Sequence, residues 1–180
     1  MSGTIGNISY YTRKGSDKLY ARKKGGPDKN MIANNPKFDL VRRNNKEFGG
    51  CSKMSKEIRQ TFVMLAHTAD YNLAPTLCTV AKNIQKADME GALGERSISL
   101  SAYRQYLVGF SFNLNNRFDS ILRIPLDCEI DRSTQRAIVK IPAFACSMAL
   151  YIPGKQTIFS LCITLGVASD FKFNAHTKLY

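Results

Sequence analysis

At 180 residues, 44% of them apolar, the chain is long enough to bury a core and short enough to form one domain, or one domain with an appendage. Its five cysteines are odd in number, widely spaced and without a CxxC pair, which argues against a disulfide framework or a zinc site. The net charge of +12 is lopsided, with 14 Lys/Arg against 5 Asp/Glu in residues 1–60 and 12 against 9 in residues 61–180, so the first third points to an anionic partner or to a solvated basic face.

The opening residues MSGTIGNISYY lack the apolar region of a signal peptide. No apolar run approaches the roughly 20 residues that span a bilayer. The expectation is a cytoplasmic protein, or one inside an assembled particle, with free buried thiols and no membrane partner. Residues 1–33 read as an extended basic arm or hairpin. Ile8–Arg13 and Lys18–Lys23 flank Gly15-Ser16-Asp17 and predict two antiparallel strands. An isolated hairpin is marginal in water, so Tyr10, Tyr11 and Tyr20 are expected at an interface. Tyrosines interleaved with Arg13, Lys14, Arg22, Lys23 and Lys24 suit a nucleic-acid contact, with cations on phosphates and rings on bases. They equally suit an exposed hairpin that needs aromatic pairs to form.

Residues 34–65 predict a basic amphipathic helix. Asn35 is placed to cap it and Pro36 to occupy its first position. Its stripe runs through Phe38, Val41, Asn45 and Phe48, then restarts one residue out of step at Cys51, Met54, Ile58, Phe62 and Leu65. Arg42, Arg43 and Lys46 lie on the outer face and join the candidate phosphate contacts. Gly49-Gly50 either breaks the helix into two segments, the preferred reading, or admits a close neighbour. Pro75 to about Ala87 predicts a second helix, with Leu73, Leu77, Val80 and Ile84 inward. Residues 34–95 are thus expected to form a helical hairpin.

From residue 96 the period changes to two. Predicted strands are Gly109–Asn113, Ser120–Ile130, Arg136–Ile141, Ala145–Ile152 and Thr157–Val167, with Phe159, Leu161, Ile163, Leu165 and Val167 inward. Hairpin-length connections predict an antiparallel β-sheet or small β-sandwich over 96–180, and an α+β fold in which 34–180 is one globular unit. Asp127, Glu129 and Asp131 share a strand face that hard cations could use, but Arg132 and Arg136 stand beside them, and a solvated strand face is the stronger reading. No metal, cofactor or small-molecule substrate is assigned. No nucleophile elbow, phosphate loop, dinucleotide fingerprint or zinc-protease motif occurs, and no catalytic residue is named.

The arm, the helix residues Arg42 or Arg43, Asn44, Asn45, Glu47 and Phe48, the segment Gly109–Asn113 (GFSFN) and the strand end Ile141–Phe144 (IPAF) carry a resemblance. Together they resemble an uncharacterised bacterial family of Bacteroidota type. The resemblance spans most of the chain and implies a shared fold without catalytic residues. The resulting expectation is a non-enzymatic structural or assembly protein that self-associates and whose basic arm contacts a neighbouring subunit or nucleic acid. The alternative is a monomeric or dimeric nucleic-acid-binding protein.

Overall fold

In the computed structural model, residues 3–13, 16–23, 25–152, 154 and 158–180 are described. The chain divides into two compact units, Met1–Arg43 and Asn44–Tyr180. The fold is α+β: an N-terminal three-stranded antiparallel sheet, a long helix packed on another helix, and a C-terminal two-stranded hairpin.

In the first unit, β1 (Gly3–Ile5), β2 (Ile8–Thr12) and β3 (Leu19–Lys23) form the sheet in that order. The β2–β3 pair is the hairpin that the sequence predicts; Gly15 of its turn lies outside the described residues. The sequence reading missed β1. It joins β2 through Gly6-Asn7, and Gly6 takes φ +56° at the first central position, where a two-residue hairpin loop favours glycine. A short helix α1 (Lys29–Asn34), capped by Asp28, forms at the end of the residues expected as an extended arm or hairpin. Asn35 then caps a 3₁₀ turn (Pro36–Phe38) through its side chain, with Pro36 at the first position.

Helix α2 (Asp39–Thr61) runs without a break through Gly49 and Gly50. The preferred reading of two segments is therefore corrected. Gly50 is buried because the Tyr180 ring lies on it: a Cβ there would come within 2.9 Å of the ring carbons, whereas one on Gly49 would meet nothing within 4 Å. The stripe also differs from expectation. The buried positions are Glu47, Gly50, Cys51, Met54, Ser55 and Ile58, at steps of three and four, while Phe48 is exposed. A short α3 (Val63–Ala66) follows. Helix α4 (Leu73–Lys86) is capped by Asn72 and carries Pro75 in its first turn, where a missing N–H is harmless. Leu73, Leu77, Ala81 and Ile84 of α4 close the core with Cys51, Met54 and Ile58, joined by Ile98 and Leu100.

The C-terminal residues hold less regular sheet than the alternation suggests. The expected strand over 120–130 is a helical turn α5 (Phe118–Ile121), a lone bridge Leu122–Leu150 and, after Pro125, β4 (Asp127–Asp131). Pro125 cannot donate to a ladder, and the strand starts beyond it. Strand β5 (Arg136–Lys140) returns in register, Asp127 against Lys140 and Asp131 against Arg136. Residues Cys146–Ala149 are a helical turn (α6), not a strand. Residues 109–113 carry no strand either, and Gly109 turns the chain with φ +74°. Residues 158–167 have no ladder among the described residues, and most of their apolar row is exposed: Phe159 is 53%, Ile163 58%, Leu165 66% and Val167 86% exposed, while Leu161 is half-buried. Gly166, on the opposite side of the segment, abuts Thr61 and Phe62. At that point a glycine, not one of the large apolar residues, meets the end of α2.

Candidate functional site

Two arrangements stand out, one on the surface of the first unit and one inside the second. In the first, the strand register sorts side chains by face, because neighbours across an antiparallel pair share a side and successive residues alternate. Ile5, Ile8, Tyr10 and Leu19 fall on one face with Lys23. Tyr11, Tyr20, Ser9 and Arg22 fall on the other. The apolar face is open: Ile5 is 74%, Ile8 41% and Leu19 57% exposed. On the other face the Tyr11 and Tyr20 rings stack with centroids 5.8 Å apart and planes 26° from parallel, and the Arg13 guanidinium lies 4.5 Å from the Tyr20 centroid. The three tyrosines expected at an interface therefore divide, Tyr10 to the apolar face and Tyr11 with Tyr20 to the basic one.

The other candidate phosphate contacts are dispersed. Lys14 and Lys24 lie outside the described residues. Arg42 turns its guanidinium onto the carbonyl oxygens of Ile32 (2.8 Å) and Asn35 (2.9 Å) and onto Asp39, so it ties α1 and the capping turn to the start of α2. Arg43 pairs with Asp39 at 2.7 Å. Lys46 belongs to the second unit and lies 5.9 Å from the Phe173 ring centroid.

Inside the second unit, the fully buried Glu47 is the centre of a charge network. Arg96 donates to both of its oxygens, Nε to Oε1 at 2.7 Å and Nη2 to Oε2 at 2.9 Å. Lys82 of α4 donates to Oε2, and the Gly94 backbone N–H to Oε1 at 2.9 Å. Gln85 extends the network: its carbonyl accepts from Lys82 at 3.0 Å, and its amide donates to the Arg96 carbonyl and to the Tyr180 hydroxyl, both at 3.0 Å. The Tyr180 hydroxyl donates in turn to the Arg96 carbonyl at 2.8 Å. Burial pushes the Glu47 carboxyl up, but the donors from Arg96, Lys82 and Gly94 outweigh it and hold it down at about 2. It is thus an ionised clamp joining α2, α4, residues 94–96 and Tyr180, and its proton is out of reach near neutral pH.

The sequence reading named Glu47 only among the residues of the resemblance and gave it no place on the buried stripe, because an apolar period does not register a glutamate. The signal was present in the spacing: Glu47 stands four residues before Cys51, on the same stripe. Cys51 lies beside this clamp, and burial pushes its thiol up to about 11. The thiol is therefore a poor nucleophile. All five cysteines are free, but Cys128, Cys146 and Cys162 are exposed rather than buried as expected. With a thiol reagent under native conditions, Cys128 and Cys146 react fast and Cys51 only on unfolding; rapid native labelling of Cys51 would contradict its place in the core.

Asp127, Glu129 and Asp131 do not converge on an ion. Lys140 pairs with Glu129 at 2.6 Å and with Asp127 at 3.7 Å. Asp131 accepts from Ser133 and Thr134 in the hairpin turn, and these hydroxyl and backbone donors lower it to about 2. Among the described residues no group of three His, Cys, Asp or Glu is placed to hold a metal, and no helix is long and apolar enough to cross a membrane. The GFSFN segment lines an open cleft of about 530 Å³ with Phe118, Arg117 and Asp119, the last two paired at 3.2 Å. No protein-family model, no curated protein and no solved structure matches this chain.

Proposed function

We propose that this protein is a non-enzymatic structural or assembly component that associates with copies of itself, and that its basic N-terminal unit makes a principal contact. The observation that carries this reading is the open apolar face of the N-terminal sheet, with Ile5, Ile8 and Leu19 exposed beside Tyr10. A three-stranded sheet gains its stability from a covered face, and clustered exposed apolar side chains mark interaction surfaces. The row Phe159, Ile163, Leu165 and Val167 is a second such surface on the same chain. A second copy therefore brings apolar surface of the kind each face needs. In this reading the antiparallel sheet expected over residues 96–180 is completed between copies, with residues 158–167 adding to a neighbour's strand edge.

Light scattering on the full chain after nuclease treatment tests the proposal. The chain should be a defined oligomer at low and high salt. The double variant Ile5→Asn/Leu19→Asn, which leaves the charge unchanged, should shift the mass towards the monomer while keeping the helical circular dichroism signal. A monomeric unmodified chain at micromolar concentration would refute the reading.

A further inference from the structure

The basic face of the N-terminal sheet has a chemistry that self-association through the apolar face leaves unused. It presents Tyr11 and Tyr20 side by side from adjacent strands, Arg13 over the Tyr20 ring, and Arg22 two rungs further along the ladder opposite Ser9. Tyr11 and Tyr20 are half-buried, and Arg13 and Arg22 are exposed. Residues 1–43, the unit that contains this face, hold ten Lys/Arg and three Asp/Glu.

We propose that this face binds single-stranded nucleic acid. Unpaired bases stack on the Tyr11–Tyr20 pair, and Arg13 and Arg22 hold the phosphates on either side. The arrangement fits in three ways. Aromatic side chains on a sheet surface offer bases a π-face without regard to sequence. A guanidinium stacked on a ring keeps its N–H edge free for a phosphate. Arg13 and Arg22 flank the pair along the strand direction, so a strand laid across the face meets cation, ring pair and cation in turn. A duplex keeps its bases in the stack and can use only the cations. This proposal rests on the reading of the N-terminal unit as a contact element, but it concerns the opposite face of the sheet.

The test is fluorescence anisotropy with a labelled 12-nucleotide oligothymidine and a duplex of equal phosphate number, using the full chain across a salt series. Mass measurements accompany each variant. The single strand should bind at least tenfold more tightly than the duplex. Tyr20→Ala should weaken single-strand binding about tenfold, within the range for losing one stacked base, and leave the salt slope unchanged. Arg13→Ala/Arg22→Ala should flatten the log–log salt slope by about 1.4, at roughly 0.7 per phosphate contact on a single strand. All three substitutions should leave the oligomer mass intact, whereas Ile5→Asn/Leu19→Asn changes the mass and retains binding to the oligothymidine. Equal affinity for strand and duplex, or wild-type affinity in Tyr20→Ala, would overturn the proposal and leave the assembly reading standing. If Tyr20→Ala instead dissociates the oligomer, the face is a subunit contact and the proposal fails.

Discussion

Glu47→Gln is expected to destabilise the protein by roughly 3–5 kcal/mol, the cost of removing one partner from a buried ion pair. That is a large share of the roughly 5–15 kcal/mol that holds most domains folded. The carboxylate accepts from Lys82, Arg96 and the Gly94 N–H with no exposure to solvent. A neutral amide of the same shape leaves two cations facing one another without a counter-charge. At this chain length the melting midpoint should fall by roughly 6–20 °C. Adding Lys82→Met should recover part of the loss, because it removes one of the stranded cations. The pH profile supplies an independent check. The folded pKa of Glu47, about 2, lies below its ordinary value of 4.5. Its contribution is therefore fully present above about pH 4.5 and is lost as the pH falls towards 2, amounting to roughly 3 kcal/mol. Asp70, Asp88, Asp131 and Asp170 are also lowered and remain in the variant, so the difference between the two profiles isolates Glu47. Denaturant melts from pH 2 to pH 7 measure it. Parallel profiles for the wild type and Glu47→Gln would contradict the clamp.

Adjacent glycines of α2 should respond in opposite directions to alanine. Gly49→Ala adds a methyl group to open space on a helix and should stabilise by about 1 kcal/mol, the helix-propensity difference. Gly50→Ala drives a Cβ to within 2.9 Å of the Tyr180 ring. Overpacking of this kind costs about 1–3 kcal/mol. Here it also displaces the ring whose hydroxyl bridges Gln85 and Arg96, so the net change should be destabilising despite the better helix former. The two sites can be separated by a cycle with Tyr180→Ala. Without the ring, Gly50→Ala should lose most of its penalty, a coupling of at least about 1 kcal/mol. If Gly50→Ala is as benign as Gly49→Ala, the ring does not rest on α2 in solution.

These two sites mark where the sequence was legible and where it was not. Asn35 as a cap, although of a 3₁₀ turn, Pro36 and Pro75 in opening turns, and the hairpins β2–β3 and β4–β5 follow from local chemistry, and local chemistry is what a sequence displays directly. The need for a glycine at position 50 of α2 comes from the ring of Tyr180, more than a hundred residues away, and no local rule shows a distant ring packed there. The stripe before Gly50 was misread because Phe48 is apolar and Glu47 is charged. The burial of Glu47 follows from Lys82 and Arg96, which only the fold brings to it. Residues 158–167 show the reverse case. Their alternation is plain, but the contact with α2 is made at Gly166, against Thr61 and Phe62, while Phe159, Ile163, Leu165 and Val167 are exposed. At the candidate interface, Arg13, Arg22, Tyr11 and Tyr20 were legible as residue types. That they share a face, and that Tyr10 and Lys23 occupy the other, follows from the strand register.

In the proposed assembly the exposed apolar surfaces are covered by other copies of the chain. Hydrogen exchange read by mass spectrometry on the full chain, at two protein concentrations spanning a hundredfold, tests it most directly. Protection should rise with concentration in residues 3–23 and 158–167, while α2 and α4 exchange equally slowly at both, their backbone groups being bonded within each helix. Concentration-independent exchange in both surface segments would contradict the claim.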